Sequence, residues 1–128
     1  MGNWEVDTDD QKNRLYLTLE GRLSIDEVEN AADAVIEASS TLDPGFDQVN
    51  DMSSFEPADP EALDHVERGK RGIVENGIAA TCRVVSESTT GQMQFDRAGE
   101  DEEEYAVAKA ESFEQAEKLL DKRREQME

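Results

Sequence analysis

The sequence predicts an α/β domain built on a sheet of about four to five strands with crossover helices. Three observations predict it: apolar residues alternate at period two over Arg14 to Leu23, recur at helical spacing over Ile25 to Ile36, and run nearly unbroken from Ile78 to Val85. The first pattern is that of a half-buried strand, the second that of an amphipathic helix, and the third that of a strand covered on both faces. Strands and helices in alternation along a chain make a sheet crossed by helices. With 128 residues, the chain fills one domain.

Taken in order, Trp4 to Val6 reads as a short first strand and Asp7 to Lys12 as a polar turn. In the second strand Leu15, Leu17 and Leu19 share one face and Arg14, Tyr16 and Thr18 the other, and Gly21 marks its end. Ser24 and Glu27 then supply a Ser-x-x-Glu capping box. The helix it opens reaches about Ser39, with Ile25, Val28, Ala32, Val35 and Ile36 inward and Asp26, Glu29, Asp33 and Glu37 outward. An Asp-Pro-Gly turn at 43–45 leads into a strand carrying Phe46, Val49 and Met52. That strand is expected to stop at Ser53 and Ser54, whose hydroxyls compete for backbone groups.

Asp59-Pro60 reads as the start of a second helix, a carboxylate to cap it and a proline that lacks only a donor the first turn does not need. Its stripe of Leu63, Val66 and Ile73 is interrupted by Lys70, and Asn76-Gly77 ends it. Ile78 to Val85 is an interior strand, with Arg83 near its end and Cys82 packed within it. Ser86 to Ala98 is ambiguous between strand and helix, and Gly99 to Glu104 is an acidic turn. Tyr105 to Ala110 is a strand, and Ser112 with Gln115 opens a last helix that is expected to bury Phe113, Ala116, Leu119 and Leu120 and to fray after Arg124.

Charge bounds the function. The 32 acidic residues against 13 basic ones leave −19, and the acids are spread along the whole chain instead of forming one block. This is the surface expected of a protein from a salt-rich cytoplasm. The only basic clusters are Arg68-Lys70-Arg71 and Lys122-Arg123-Arg124, so no basic stripe exists to displace phosphate counterions, and nucleic-acid binding is not expected. No apolar run approaches the roughly 18 residues of a membrane helix, and the amino terminus lacks the pattern of a signal peptide, which points to a cytoplasmic protein.

Chemistry is sparse. Cys82 is the single cysteine, which removes disulfides and cysteine metal clusters. Dinucleotide, P-loop, calcium-loop and nucleophile-elbow motifs are missing, so neither a cofactor nor a metal is expected. His65, between Asp64 and Val66 on the second helix, has no sequence partner that would make it a general base, and it is expected at the surface. An enzyme is therefore not expected. The candidate binding site is the segment where the third strand feeds the second helix, carrying Asp51, Ser53, Ser54, Glu56 and Asp59. Segments at the carboxyl ends of strands are where open α/β sheets receive ligands and partners. Turn formation by the serines and helix capping by Asp59 explain the same residues without a ligand.

Leu-Glu-Gly-Arg-Leu at 19–23, Asp-Met-Ser-Ser-Phe at 51–55, Phe-Asp-Arg-Ala-Gly at 95–99 and Ser-Phe-Glu-Gln-Ala at 112–116 follow in an order and spacing that resembles the STAS superfamily, in particular its small SpoIIAA-like members. The resemblance covers about residues 13 to 121 and implies a mixed sheet with helices packed on it, with a helix over Gln92 to Ala98. It also implies a non-catalytic regulatory module that binds a partner protein and is switched by phosphorylation of a serine at the start of the second helix. Matching Asp51-Met52-Ser53 to the family pattern puts the phosphoacceptor position at Pro57, which has no hydroxyl. The standard switch is thus missing at that position, while Ser53 and Ser54 stand nearby. The alternative the resemblance allows is a small-molecule carrier or sensor for a nucleotide or an apolar ligand.

Two outcomes test the composition and the strand pattern. The Debye length shrinks from roughly 10 Å at 0.1 M salt to about 3 Å at 1 M, so thermal melts followed by circular dichroism should show stability rising steeply from dilute buffer to molar potassium chloride. Labelling of Cys82 by a thiol reagent should be slow in the native protein and fast once it is unfolded.

Overall fold

The computed structural model describes residues 2–57, 59–85, 97 and 105–127. The alternating start of the chain forms a hairpin, β1 (Asn3–Asp9) against β2 (Arg14–Leu23). Asp9 Oδ1 accepts the Gln11 and Lys12 amides at 3.0 and 3.1 Å, and Asn13 takes a left-handed φ of 54° to complete the turn. The first strand is longer than Trp4 to Val6 because β2 offers it a ladder as far as Asp9, so the polar turn shrinks to Asp10–Asn13.

Helix α1 (Ile25–Ser40) begins at the expected box, with Ser24 Oγ accepting the Glu27 amide at 3.2 Å and Glu27 accepting the Ser24 amide at 3.0 Å. Then come β3 (Asp47–Pro57), α2 (Ala62–Glu75), β4 (Ala80–Val84), β5 (Ala106–Ala110) and α3 (Phe113–Met127). Among the described residues, five strands lie in chain order, β1-β2-β3-β4-β5, with β1 antiparallel to β2 and every other neighbouring pair parallel. The sheet is mixed, as predicted. Among the described residues no helix is long and apolar enough to cross a membrane. The expected helix at Gln92 to Ala98 and the turn at Gly99 to Glu104 fall outside the described residues, Arg97 excepted.

Alternation sorts the side chains to two cores. Leu15, Leu17, Leu19, Leu23, Met52 and Phe55 pack against α1 and α2 through Val28, Val35, Val66 and Ile73. Val49, Ala80, Cys82, Val84 and Ala110 face the other way, onto Ala116 and Leu120 of α3. The two helices of the first layer touch at glycine: a Cβ on Gly72 would stand 2.4 Å from Ile36 Cγ1. Cys82 is fully buried, and that burial pushes its thiol pKa up.

Three expectations are corrected. The third strand does not stop at Ser53-Ser54 but runs to Pro57, because β2 continues opposite it to Leu23; a bulge between Thr18 and Glu20 absorbs the extra residue. Gly21, with a φ of 70°, sits within β2 instead of ending it. Phe113 and Leu119 remain 44% and 39% exposed, since the stripe of α3 that meets the sheet is Ala116, Leu120 and the charged residues in register with them.

Those charged residues form a network around a buried pair, Arg14 and Asp47. Arg14, fully buried on β2, donates Nε to Asp47 Oδ1 at 2.7 Å and Nη2 to Asp47 Oδ2 at 3.2 Å, a two-pronged pair between neighbouring strands. Its Nη1 reaches across to Glu117 and to Asp121, 3.0 Å away, on α3. Arg124 closes the ring, 3.0 Å from Asp47 Oδ1 and bonded to the backbone carbonyls of Lys12 and Asn13. This anchor holds the end of α3, which stays helical to Met127 where fraying was expected. Burial alone would push the Arg14 guanidinium down, but its three carboxylate partners hold its pKa above the ordinary value. Burial would likewise raise Glu117, yet hydrogen bonds from Tyr16 and Arg14 outweigh it and keep that carboxyl below its ordinary range.

A depressed carboxyl contributes stability above its unfolded pKa and loses it as pH falls through the folded one. The stability gap between wild type and Glu117→Gln should therefore be full at pH 7, about 1.5–3 kcal/mol for a charge-assisted bond, and should shrink as the pH is lowered through the acid range in urea titrations. Arg14→Met, which strips Asp47 of its main counter-charge, should cost about 3–5 kcal/mol in the same measurement.

Candidate functional site

The residues expected to make a polar loop lie mostly on a strand. Met52 and Phe55 point into the core, so Asp51, Ser54 and Glu56 face the opposite side of the sheet. Ser53, whose side chain lies outside the described set, is part of the same strand. Ser54 Oγ accepts the Gly21 amide at 3.3 Å. Asp59 is not the cap of α2: that position falls to Glu61, which makes no side-chain capping bond, and Asp59 Oδ1 instead accepts the Glu61 amide at 2.9 Å in the turn before the helix. A strand thus replaces the loop, and Asp59 stands apart from the other acids in the turn beyond it.

On this side the described helix covers part of the sheet. Among the described residues, helix α3 packs on β3, β4 and β5 and reaches Arg14 and Tyr16 at the start of β2, away from β1, the rest of β2 and the end of β3. The ladder places Glu5 opposite Thr18, Asp7 opposite Tyr16, Ser54 opposite Glu20 and Glu56 opposite Arg22. The result is an open face bearing Glu5, Asp7, Glu20, Asp51 and Glu56, with Arg22 as the basic residue among them. Its floor is aromatic where it meets α3, with Tyr16 and Phe113 stacked at 5.6 Å and 28°. A groove of about 280 Å³ runs there between Glu5, Asp7, Tyr16, Thr18 and Phe113. Tyr16 is drawn toward Glu117, and burial together with that carboxylate raises its hydroxyl pKa.

The other side of the sheet holds a second feature, beneath α1 and α2. Gln48 and Asn50 of β3 and Thr81 and Arg83 of β4 occupy inward positions there, each 2–3% exposed, and Lys70 of α2 is 4% exposed. They line a cavity of about 50 Å³ together with Leu17, Leu19, Val66 and His65. Thr81 Oγ1 sits 3.4 Å from both the carbonyl and the side-chain oxygen of Gln48. Asn50 Oδ1 is buried without a hydrogen-bond partner among the described residues. His65 is less exposed than a surface histidine, with a quarter of its side chain open, and its Nε2 lies 3.4 Å from Glu29 Oε2. Among the described residues no group of three or more His, Cys, Asp or Glu side chains is placed to hold a metal.

Sequence reasoning missed this polar interior. Its signal was present: Gln48 and Asn50 alternate on one strand, Thr81 and Arg83 on the next. Only the register, with Gln48 opposite Thr81 and Asn50 opposite Arg83, brings the four together.

No family model and no curated protein matches the chain. Among solved structures it is similar to an uncharacterised protein of the DUF3478 family with a SpoIIAA-like fold from Shewanella loihica PV-4, at a TM-score of 0.61 and 11% identity over 93% of each chain. The fold is SpoIIAA-like. At that identity the likeness speaks for architecture alone. Pro57, where the sequence analysis expected the phosphoacceptor position, is the last residue of β3.

Proposed function

We propose that the chain is a non-catalytic regulatory module of the cytoplasm that binds a partner protein on the uncovered face of its sheet, and that the docking segment of that partner is basic. The observation that supports it is the part of the sheet that α3 leaves open among the described residues: beyond Arg14 and Tyr16, the strands β1, β2 and the end of β3 present five carboxylates around an aromatic floor. A positively charged segment complements such a face in potential, and complementarity of this kind steers encounter and fixes register. The permanent acids near Pro57 supply the negative charge that a phosphate would bring, so the face is held in one binding mode without modification. A nucleotide carrier is the weaker alternative, because the cavity beneath α1 and α2 is only about 50 Å³.

Pull-downs from native-host lysate, at the lowest salt that keeps the fold, test the docking face. Wild type and a control reversal on α1, Glu37→Lys, should capture the same protein. Glu5→Lys with Glu56→Lys should weaken that capture about tenfold or more, as two exposed charge pairs worth up to about 1 kcal/mol each turn repulsive. Ser53→Ala and Ser54→Ala should leave it unchanged, and intact mass spectrometry of the native protein should show no phosphate. Equal capture by the charge-reversed face, or stoichiometric phosphate on either serine, would overturn the proposal.

A further inference from the structure

The uncovered face ends at β1, the outer strand of the sheet among the described residues. Thr8 gives its amide to Asp7 Oδ1 at 2.8 Å, outside the ladder with β2. In an antiparallel pair the backbone groups of successive residues point alternately toward the neighbour and away from it, so Trp4 and Val6, in step with Thr8, aim their N–H and C=O outward. No partner for those groups stands among the described residues. The side chains alternate too. Glu5 and Asp7 lie on the open face, exposed and without an ion pair among the described residues, while Trp4 and Val6 lie on the other face, half-buried at the rim of the first core.

Such an edge accepts an added strand, and its charges choose which. A second copy of the chain fails: two β1 strands paired antiparallel about Val6 would set Glu5 opposite Asp7 of the other copy, with Cβ atoms about 4.5–5.5 Å apart, in a chain already at −19. An extended segment with Lys or Arg at every second residue reverses the sign of those contacts, and its intervening apolar residues fall beside Trp4 and Val6. We propose, resting on the reading that this face docks a basic segment, that the segment binds as a strand added antiparallel to β1, its cations beside Glu5 and Asp7 and its apolar residues continuing the face of Trp4 and Val6. The antiparallel direction is the one with the stronger ladder per residue. In it the residues opposite Trp4 and Val6 exchange both hydrogen bonds with them, so the apolar positions of the segment face β1 with their backbone and the basic positions turn theirs away.

Three capped peptides alternating lysine and valine test it: the parent, one N-methylated at the valines and one N-methylated at the lysines. Each is titrated into the folded, isotope-labelled chain at fixed potassium chloride, with amide chemical shifts as the readout. The parent should saturate at one site and move the amides of Trp4, Val6 and Thr8. Methylation at the valines removes the donors that face β1 and should weaken binding about tenfold or more, as for two lost backbone hydrogen bonds, whereas methylation at the lysines should change it by no more than about twofold. Equal affinity of the two methylated peptides, a greater loss from the lysine methyls, or no saturable binding of the parent would overturn the added strand. Glu5→Lys, which should weaken the parent, separates this outcome from the docking reading. Should it do so while both methylated peptides bind as the parent does, a basic segment docks on the face without joining the sheet, and only the strand falls. Should it leave the parent unchanged, the docking face falls as well.

Discussion

The position of the last helix depends on one buried cation. Arg14 lies at the start of β2, with Asp47 beside it on β3 and Glu117 and Asp121 above it on α3. A buried ion pair is not a strong source of net stability, since desolvation cancels much of the attraction, but leaving one member without the other is severe. The network therefore acts as a register mark. Apolar contacts through Ala116 and Leu120 would let α3 slide or rotate over the small side chains of Ala80, Cys82 and Ala110, whereas the guanidinium donates to its carboxylates in one arrangement. In a chain with so few basic residues, spending Arg14 and Arg124 on the same knot shows how tightly that arrangement is specified.

The two sides of the sheet solve packing in different ways. Beneath α1 and α2 the helices approach until Gly72 meets Ile36, and the layer is deep in leucine on the β2 side. Toward β4 it turns polar, because Gln48, Asn50, Thr81 and Arg83 face inward where an aliphatic side chain would pack at less cost. On the α3 side the second core is small, mostly alanine and valine, with half-buried Tyr16 of β2 packed against its edge. Among the described residues, the acidic face lies where α3 does not reach.

Much of this was legible in the chain. The hairpin strand β2, the box at Ser24 and Glu27 and the buried β4 follow from patterns a few residues long, and local patterns are what a sequence displays directly, while the mixed sheet was implied by the family resemblance. The end of β3 was not legible, because Ser53 and Ser54 carry turn propensity while the ladder that overrides it comes from Glu20 to Leu23, some thirty residues earlier. Asp59 was assigned to the right neighbourhood and the wrong bond. Asp51, Ser54 and Glu56 share one face of β3, but the acids beside them, Glu5, Asp7 and Glu20, come from strands whose pairing no local pattern reveals. The polar cavity was hidden for the same reason, its four sheet residues being spread over two strands.

The Arg14 knot also bears on how the molecule comes into being. Arg14 and its partner Glu117 are 103 residues apart, and Arg124 binds the Asn13 carbonyl across 111. As the chain leaves the ribosome, β1, β2, α1, β3 and α2 emerge with Arg14 and Asp47 paired only to each other and the α3 face of the sheet bare. Vectorial synthesis thus cannot lock this domain strand by strand. Its cooperative closure waits for α3, which follows in the chain the strands it covers, and until then the nascent sheet exposes Val49, Cys82 and Val84 as a surface that needs protection from other chains.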